Sequence, residues 1–220
     1  MASEKSPPAI PAVAHVASAA KSPATRASIV AAPAAKAPGA PVVVRTAALP
    51  GASAPSQPQR QAFVIAFVDL ARFQIASRRV KDETLAEIVQ DYYERVSDGV
   101  KGTGGRVVKF MGDGALVVFP VDRASQAARS LMLLKQEVDT RMAKRKFPTA
   151  MGARVHVGEV IAGDFGAKGD KRFDVIGTAV NRAASLRYTE GVSFTAEAYA
   201  KLDVKTQKLF SAKGDTYVAT

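Results

Sequence analysis

The chain has 220 residues, 47% of them hydrophobic, enough for one ordinary domain and a tail, with a formal net charge of +11. It has no cysteine and only two histidines, which excludes disulfides, thiolate chemistry and zinc sites built on Cys or several His. Any metal must therefore sit on oxygen ligands, which suits Mg²⁺ or Mn²⁺, and the positive charge fits an anionic partner without choosing among nucleotide, nucleic acid and membrane surface.

Residues 1–60 carry ten of the 12 prolines, no aromatic residue and six basic against one acidic side chain. Such a segment cannot bury enough apolar surface to offset the entropy of ordering, so it is expected to be a disordered basic tail or linker, with one domain over 61–220. The mildly apolar stretch 9–20 is interrupted by Pro11 and His15 and is not read as a signal peptide. No apolar run approaches the roughly 20 residues of a membrane helix, so no membrane span and a cytoplasmic location are expected.

The ordered pattern begins at Ala62. Residues 62–69 (AFVIAFVD) form a short apolar run that predicts a buried strand. Over 82–100, Leu85, Ile88, Val89, Tyr92, Tyr93, Val96 and Val100 recur at three- and four-residue spacing, the stripe of an amphipathic helix. Asp82 is the candidate N-cap and Gly102 the exit. Two strand-like runs, 106–111 and 115–119, flank Gly112-Asp113-Gly114 and predict a hairpin. A second helix is predicted over 123–144, burying Ala127, Leu131, Leu134 and Val138. Strands follow at 153–157 and 159–162, interrupted by Gly158, then an extended piece at 173–176. A helix is expected over 178–188, and weaker strands at 192–195 and 216–218. This order predicts an α/β (α+β) sandwich, with helices covering one face of a mostly antiparallel sheet.

Two aspartates could carry chemistry. Asp69 closes the first strand and Asp113 sits in the hairpin turn. If that strand lies beside the hairpin, both carboxylates emerge at one end of the sheet, where their repulsion would be relieved by divalent cations. Taken singly each has a plainer role, since Asp-Gly is a favoured hairpin dipeptide and an Asp after a strand can cap a helix.

The residues around them decide more. The runs Phe67–Phe73 (FVDLARF), Lys109–Ala115 (KFMGDGA) and Gly152–Gly166 (GARVHVGEVIAGDFG) occur in that order along the chain. Phe173–Gly177 (FDVIG) and Val180–Ala184 (VNRAA) follow them. Together these blocks resemble, in order and spacing, the catalytic domain of the class III adenylate/guanylate cyclases. The resemblance implies a ferredoxin-like cyclase homology domain that pairs head to tail, with active sites at the dimer interface.

On this resemblance one protomer supplies Asp69, Asp113 and the backbone carbonyl of Leu70 to two Mg²⁺ or Mn²⁺ ions, and Phe73 lies beside the substrate. The other supplies Lys109 and Asp174 to the adenine ring, Asn181 to the ribose and Lys213 to the triphosphate. Lys109 would donate to a ring nitrogen and Asp174 accept from the adenine amino group, whereas guanine would present a carbonyl to that acceptor. The implied reaction is ATP to 3′,5′-cyclic AMP and pyrophosphate, in intracellular signalling.

One position departs from the pattern. Four residues after Asn181 the family has an arginine that stabilises transition-state charge; this chain has Ser185. Loss of one such group costs about 10²–10³ in rate. Arg182 and Arg187 stand at helical offsets that point elsewhere. The alternative reading is therefore a weak or inactive cyclase homology domain that binds nucleotide or a partner and regulates. A homodimer is expected, with a heterodimer on an Arg-bearing cyclase domain as the other option. Nucleic-acid binding is not expected, because the exposed aromatic run of a sheet-face RNA reader is missing.

Overall fold

A computed structural model describes residues 57–187 and 190–219; the expected tail over 1–60 lies outside the described residues except for its last four, of which Gln59 and Arg60 already belong to the first strand. Four of the eight strands form the first half of one mixed sheet: β1 (Gln59–Leu70), β2 (Arg106–Met111), β3 (Gly114–Pro120) and β4 (Met151–Ala167). β5 (Asp170–Ile176), β6 (Val192–Thr195), β7 (Ser211–Lys213) and β8 (Thr216–Ala219) complete it. The order is β2-β3-β1-β4-β6-β8-β7, with β5 pairing only β4. Every pairing is antiparallel except β4 with β6.

β1 is central, and its continuous apolar run follows from burial on both faces. Val64, Ala66, Val68 and Leu70 point into the larger core, while Phe63 and Ile65 belong to a second one. The larger core is closed by α2 (Asp82–Lys101) and α3 (Ala124–Lys144). α2 buries Ile88, Tyr92, Val96 and Val100, one side chain per turn. α3 buries Ala127, Leu131, Leu134 and Val138, as its periodicity predicts, together with Ala124, Ala128 and Met142. At roughly 1.5–3 kcal/mol per fully buried aliphatic side chain, the buried residues of β1 hold it in place as a base for its C-terminal end.

The helices do not all lie on one face. α4 (Thr178–Ser185) packs Ala179 and Ala183 against Phe63 and Ile65, and alternation along the strand puts these opposite the α2–α3 side. Gly158 does not interrupt β4, which runs unbroken through it. A Cβ there would stand 2.7 Å from Cβ of Ala179, so glycine is what lets α4 lie close to the sheet. Asp82 is not the N-cap of α2. Lys81 holds that position in extended backbone, and Asp82 and Glu83 instead place negative charge in the first turn, where the helix dipole favours it. α4 ends at Ser185, three residues short of the expectation.

Short elements escaped the sequence patterns: α1 (Phe73–Ser77), α5 (Ala196–Tyr199), α6 (Val204–Gln207) and strand β7. Each is too brief to show a period. Among the described residues no helix is long and apolar enough to cross a membrane.

Candidate active site

The end of β1 and the β2–β3 turn meet through backbone. β1 pairs with β3 so that Asp69 stands opposite Gly114, and the Leu70 N–H donates to the Asp113 carbonyl at 3.2 Å. The turn is a two-residue hairpin loop, Gly112-Asp113, closed by the pairing of Met111 with Gly114. Gly112 has φ 64°, a left-handed conformation that such loops demand and that a side chain disfavours. Both carboxylates thus lie at one end of the sheet, and the Asp113 charge is felt at Asp69. Burial, partly offset by the Arg154 guanidinium, pushes the Asp69 carboxyl up to about 6, and Asp113 adds to the rise.

Tyr93, a helix-face residue in the sequence pattern, reaches this turn. Its hydroxyl donates to the Gly112 carbonyl at 2.6 Å, and its ring stacks on Phe110 with centroids 3.9 Å apart. Burial, together with the neighbouring Asp113 charge, raises its phenol above the usual value. α2 thereby pins the loop that carries Asp113.

Lys109 on β2 and Asp174 on β5 come together although these strands do not pair: Nζ donates to Oδ2 at 2.6 Å. Oδ1 of Asp174 accepts from the Val175 N–H at 2.8 Å. Beside them the Arg106 guanidinium lies 3.7 Å from the centroid of the Phe173 ring, a second tie between the same strands. Lys109 keeps two ammonium protons for another acceptor. A partly exposed pair of this kind contributes little net stability, so a ligand can open it at small cost.

Asn181 is exposed on α4, in a groove of about 740 Å³ lined by Arg60, His156, Glu159, Asn181, Arg182 and Ser185. The Ser185 hydroxyl donates back to the Arg182 carbonyl of its own helix at 3.0 Å. His156 contacts the Thr195 hydroxyl through Nδ1 at 3.0 Å, and burial lowers its pKa, with Arg182 nearby acting the same way and Glu197 opposing. Phe73 packs edge-on against Phe147, centroids 6.0 Å apart, beside the larger core. Lys213 is exposed on β7, at the sheet edge beyond β4, β6 and β8, so one chain does not bring it to Asp69.

Arg154 was not singled out by the sequence. Its Nη2 donates to Asp69 Oδ2 at 2.7 Å and its Nη1 to the Ala184 carbonyl at 2.7 Å. The partners stand 85 and 30 positions away in the chain. No local pattern could reveal them.

A mixed sheet with this helix cover is the α+β architecture of nucleotide cyclase domains. The family described as "Adenylate and Guanylate cyclase catalytic domain" matches residues 56–220, and the chain belongs to that family. An adenylate cyclase of Streptomyces coelicolor is 35% identical over 122 residues, 56% of this chain and 28% of that one. An adenylate cyclase of Glutamicibacter nicotianae is 33% identical over 125 residues, 56% of this chain and 27% of that one. The chain thus spans little more than a quarter of the length of these relatives.

Among solved structures, the adenylyl cyclase CyaB from P. aeruginosa has a TM-score of 0.65 at 20% identity, covering 74% of this chain and 96% of that one. The guanylyl cyclase Cya2 has a TM-score of 0.61 at 21% identity, covering 73% and 91%. At these identities the likeness establishes the cyclase fold and does not separate ATP from GTP.

The residues present fit divalent cations. Asp69 Oδ1 is buried and accepts no hydrogen bond among the described residues, and Oδ2 already carries a cationic group in Arg154. The carboxylate thus sits where positive charge is required, and the available donors are oxygens, as Mg²⁺ and Mn²⁺ prefer. Among the described residues no group of three or more His, Asp or Glu side chains gathers. Asp69, Asp113 and backbone oxygen such as that of Leu70 would need nucleotide and water to complete a coordination shell.

Proposed function

We propose that the domain is an adenylate cyclase, converting ATP to 3′,5′-cyclic AMP and pyrophosphate at the interface of two copies, as part of cytoplasmic signalling. The observation that carries this reading is the approach of Asp69 to the turn bearing Asp113, with a buried carboxylate oxygen left over. In the reaction the ribose 3′-oxygen bonds to the α-phosphorus as the bridging bond to the β-phosphate breaks. Pyrophosphate keeps the bonding electrons and the hydroxyl proton passes to water. Two Mg²⁺ or Mn²⁺ ions, when bound, would lower the pKa of that hydroxyl and neutralise the triphosphate.

The chain's own residues do the positioning. Asp69, Asp113 and the Leu70 carbonyl would hold the ions, and the Leu70–Asp113 backbone bond keeps their spacing fixed. Lys109 and Asp174 would read the adenine edge, the lysine donating to a ring nitrogen and the carboxylate accepting from the amino group. Asn181 would orient the ribose and Lys213 would contact the triphosphate from the second copy, in keeping with the position of β7 far from β1. Phe73, half in the core, would border the substrate only through its free edge.

A second reading is favoured by one observation. Ser185, where the family has a cation, turns its hydroxyl back to its own helix, which suits a slow or silent domain that binds nucleotide and regulates. The assay is direct. With Mn²⁺ and ATP the purified chain should form cyclic AMP, GTP should be a markedly poorer substrate, and Asp69→Ala should abolish turnover. No product at high protein concentration with Mn²⁺ would leave the regulatory reading standing.

A further inference from the structure

Arg154 has no part in the proposed reaction, yet it is built into the site. β4 pairs it with Phe67, two residues before Asp69, so the two side chains share one face of the sheet. The ion pair is partly buried, with 19% of the Arg154 side chain and 23% of the Asp69 side chain exposed. One guanidinium nitrogen holds Oδ2 of Asp69, and another holds the Ala184 carbonyl at the end of α4. The third, Nε, is buried without a partner among the described residues, as is Oδ1 of Asp69. The carboxylate therefore has one oxygen open and one occupied by a protein cation.

A carboxylate shared between two divalent ions offers an oxygen to each. We propose that Arg154 is the exchangeable counter-ion of Asp69: one ion joins at the open Oδ1, and a second binds only by displacing the guanidinium from Oδ2. Displacement does not strand Arg154, because Nη1 keeps its bond to Ala184. The arrangement keeps the site half-loaded until a triphosphate adds enough oxygen ligands to complete the exchange. This inference rests on the reading of Asp69 as a metal carboxylate.

The test is a Mn²⁺ titration of the full chain without nucleotide, following free Mn²⁺ by electron paramagnetic resonance. Wild type should bind a first ion readily and a second weakly. Arg154→Met should bind the second about tenfold more tightly. Arg154→Lys, which keeps a charge without the two-pronged fork, should fall between. Unchanged or weaker second-ion binding in Arg154→Met, with an unaltered circular dichroism spectrum, overturns the proposal. If the Met variant does not fold, a Lys variant no tighter than wild type overturns it equally. Wild type binding Mn²⁺ no better than Asp69→Asn would instead sink the metal reading itself.

Discussion

At Asp69 burial, an ion pair and a neighbouring carboxylate charge meet, and its burial makes a prediction apart from catalysis. A carboxyl held near 6 in the folded chain, against about 3.9 when unfolded, binds its proton more tightly in the native state. Between about pH 4 and pH 6 the folded form carries the extra proton, so this group's contribution to stability falls as pH rises through that window. At 1.36 kcal/mol per pH unit the loss is at most ~3 kcal/mol. In metal-free buffer, thermal unfolding of wild type and Asp69→Asn should therefore diverge with rising pH, the variant gaining relative stability up to about pH 6 and holding it above. Parallel pH profiles would contradict the assignment. The same residue shows how far sequence reading reaches. Asp69 and Asp113 stood out as candidates because each sits in a local run of characteristic residues. Arg154 did not, because a strand arginine has no local mark of the partners it will meet.

At the scale of elements, the β2–β3 loop depends on α2. Tyr93 follows the apolar stripe of the helix, and its spacing says only that it faces inward. Its hydroxyl, however, holds the carbonyl of the residue before Asp113. Removing one such bond costs about 1 kcal/mol, too little to unfold the domain and enough to loosen a two-residue loop. Tyr93→Phe should retain the wild-type circular dichroism spectrum and lose roughly 5-fold in turnover with Mn²⁺ and ATP, in line with that bond energy. Turnover equal to wild type would mean that the loop is fixed by its backbone alone. The unbroken β4 teaches a related lesson. Gly158 reads as a strand breaker in sequence, but its missing side chain serves the approach of α4 rather than a bend.

For the whole molecule, the separation of residues across the sheet matters most. Lys213 and Asp69 lie on strands separated in the sheet by β4, β6 and β8, so a site that uses both, as proposed, calls for a second copy. If Asp69 and Asn181 act from different chains, mixing Asp69→Ala with Asn181→Ala should restore activity. Random pairing gives half mixed dimers, each with one intact site of two, or about a quarter of wild-type turnover. No recovery above the two separate variants would place both residues in the same chain's site.

The sequence by itself determined the main strands and helices, because hydrophobic period and turn chemistry act over a few residues. It determined the family too, because the motif blocks are contiguous. Tertiary structure alone decided that Lys109 meets Asp174, that Tyr93 clamps the Asp113 loop and that Arg154 occupies the first carboxylate. Those contacts join residues 19 to 85 positions apart. Sheet register and helix placement create such neighbours, and no short stretch of chain encodes them.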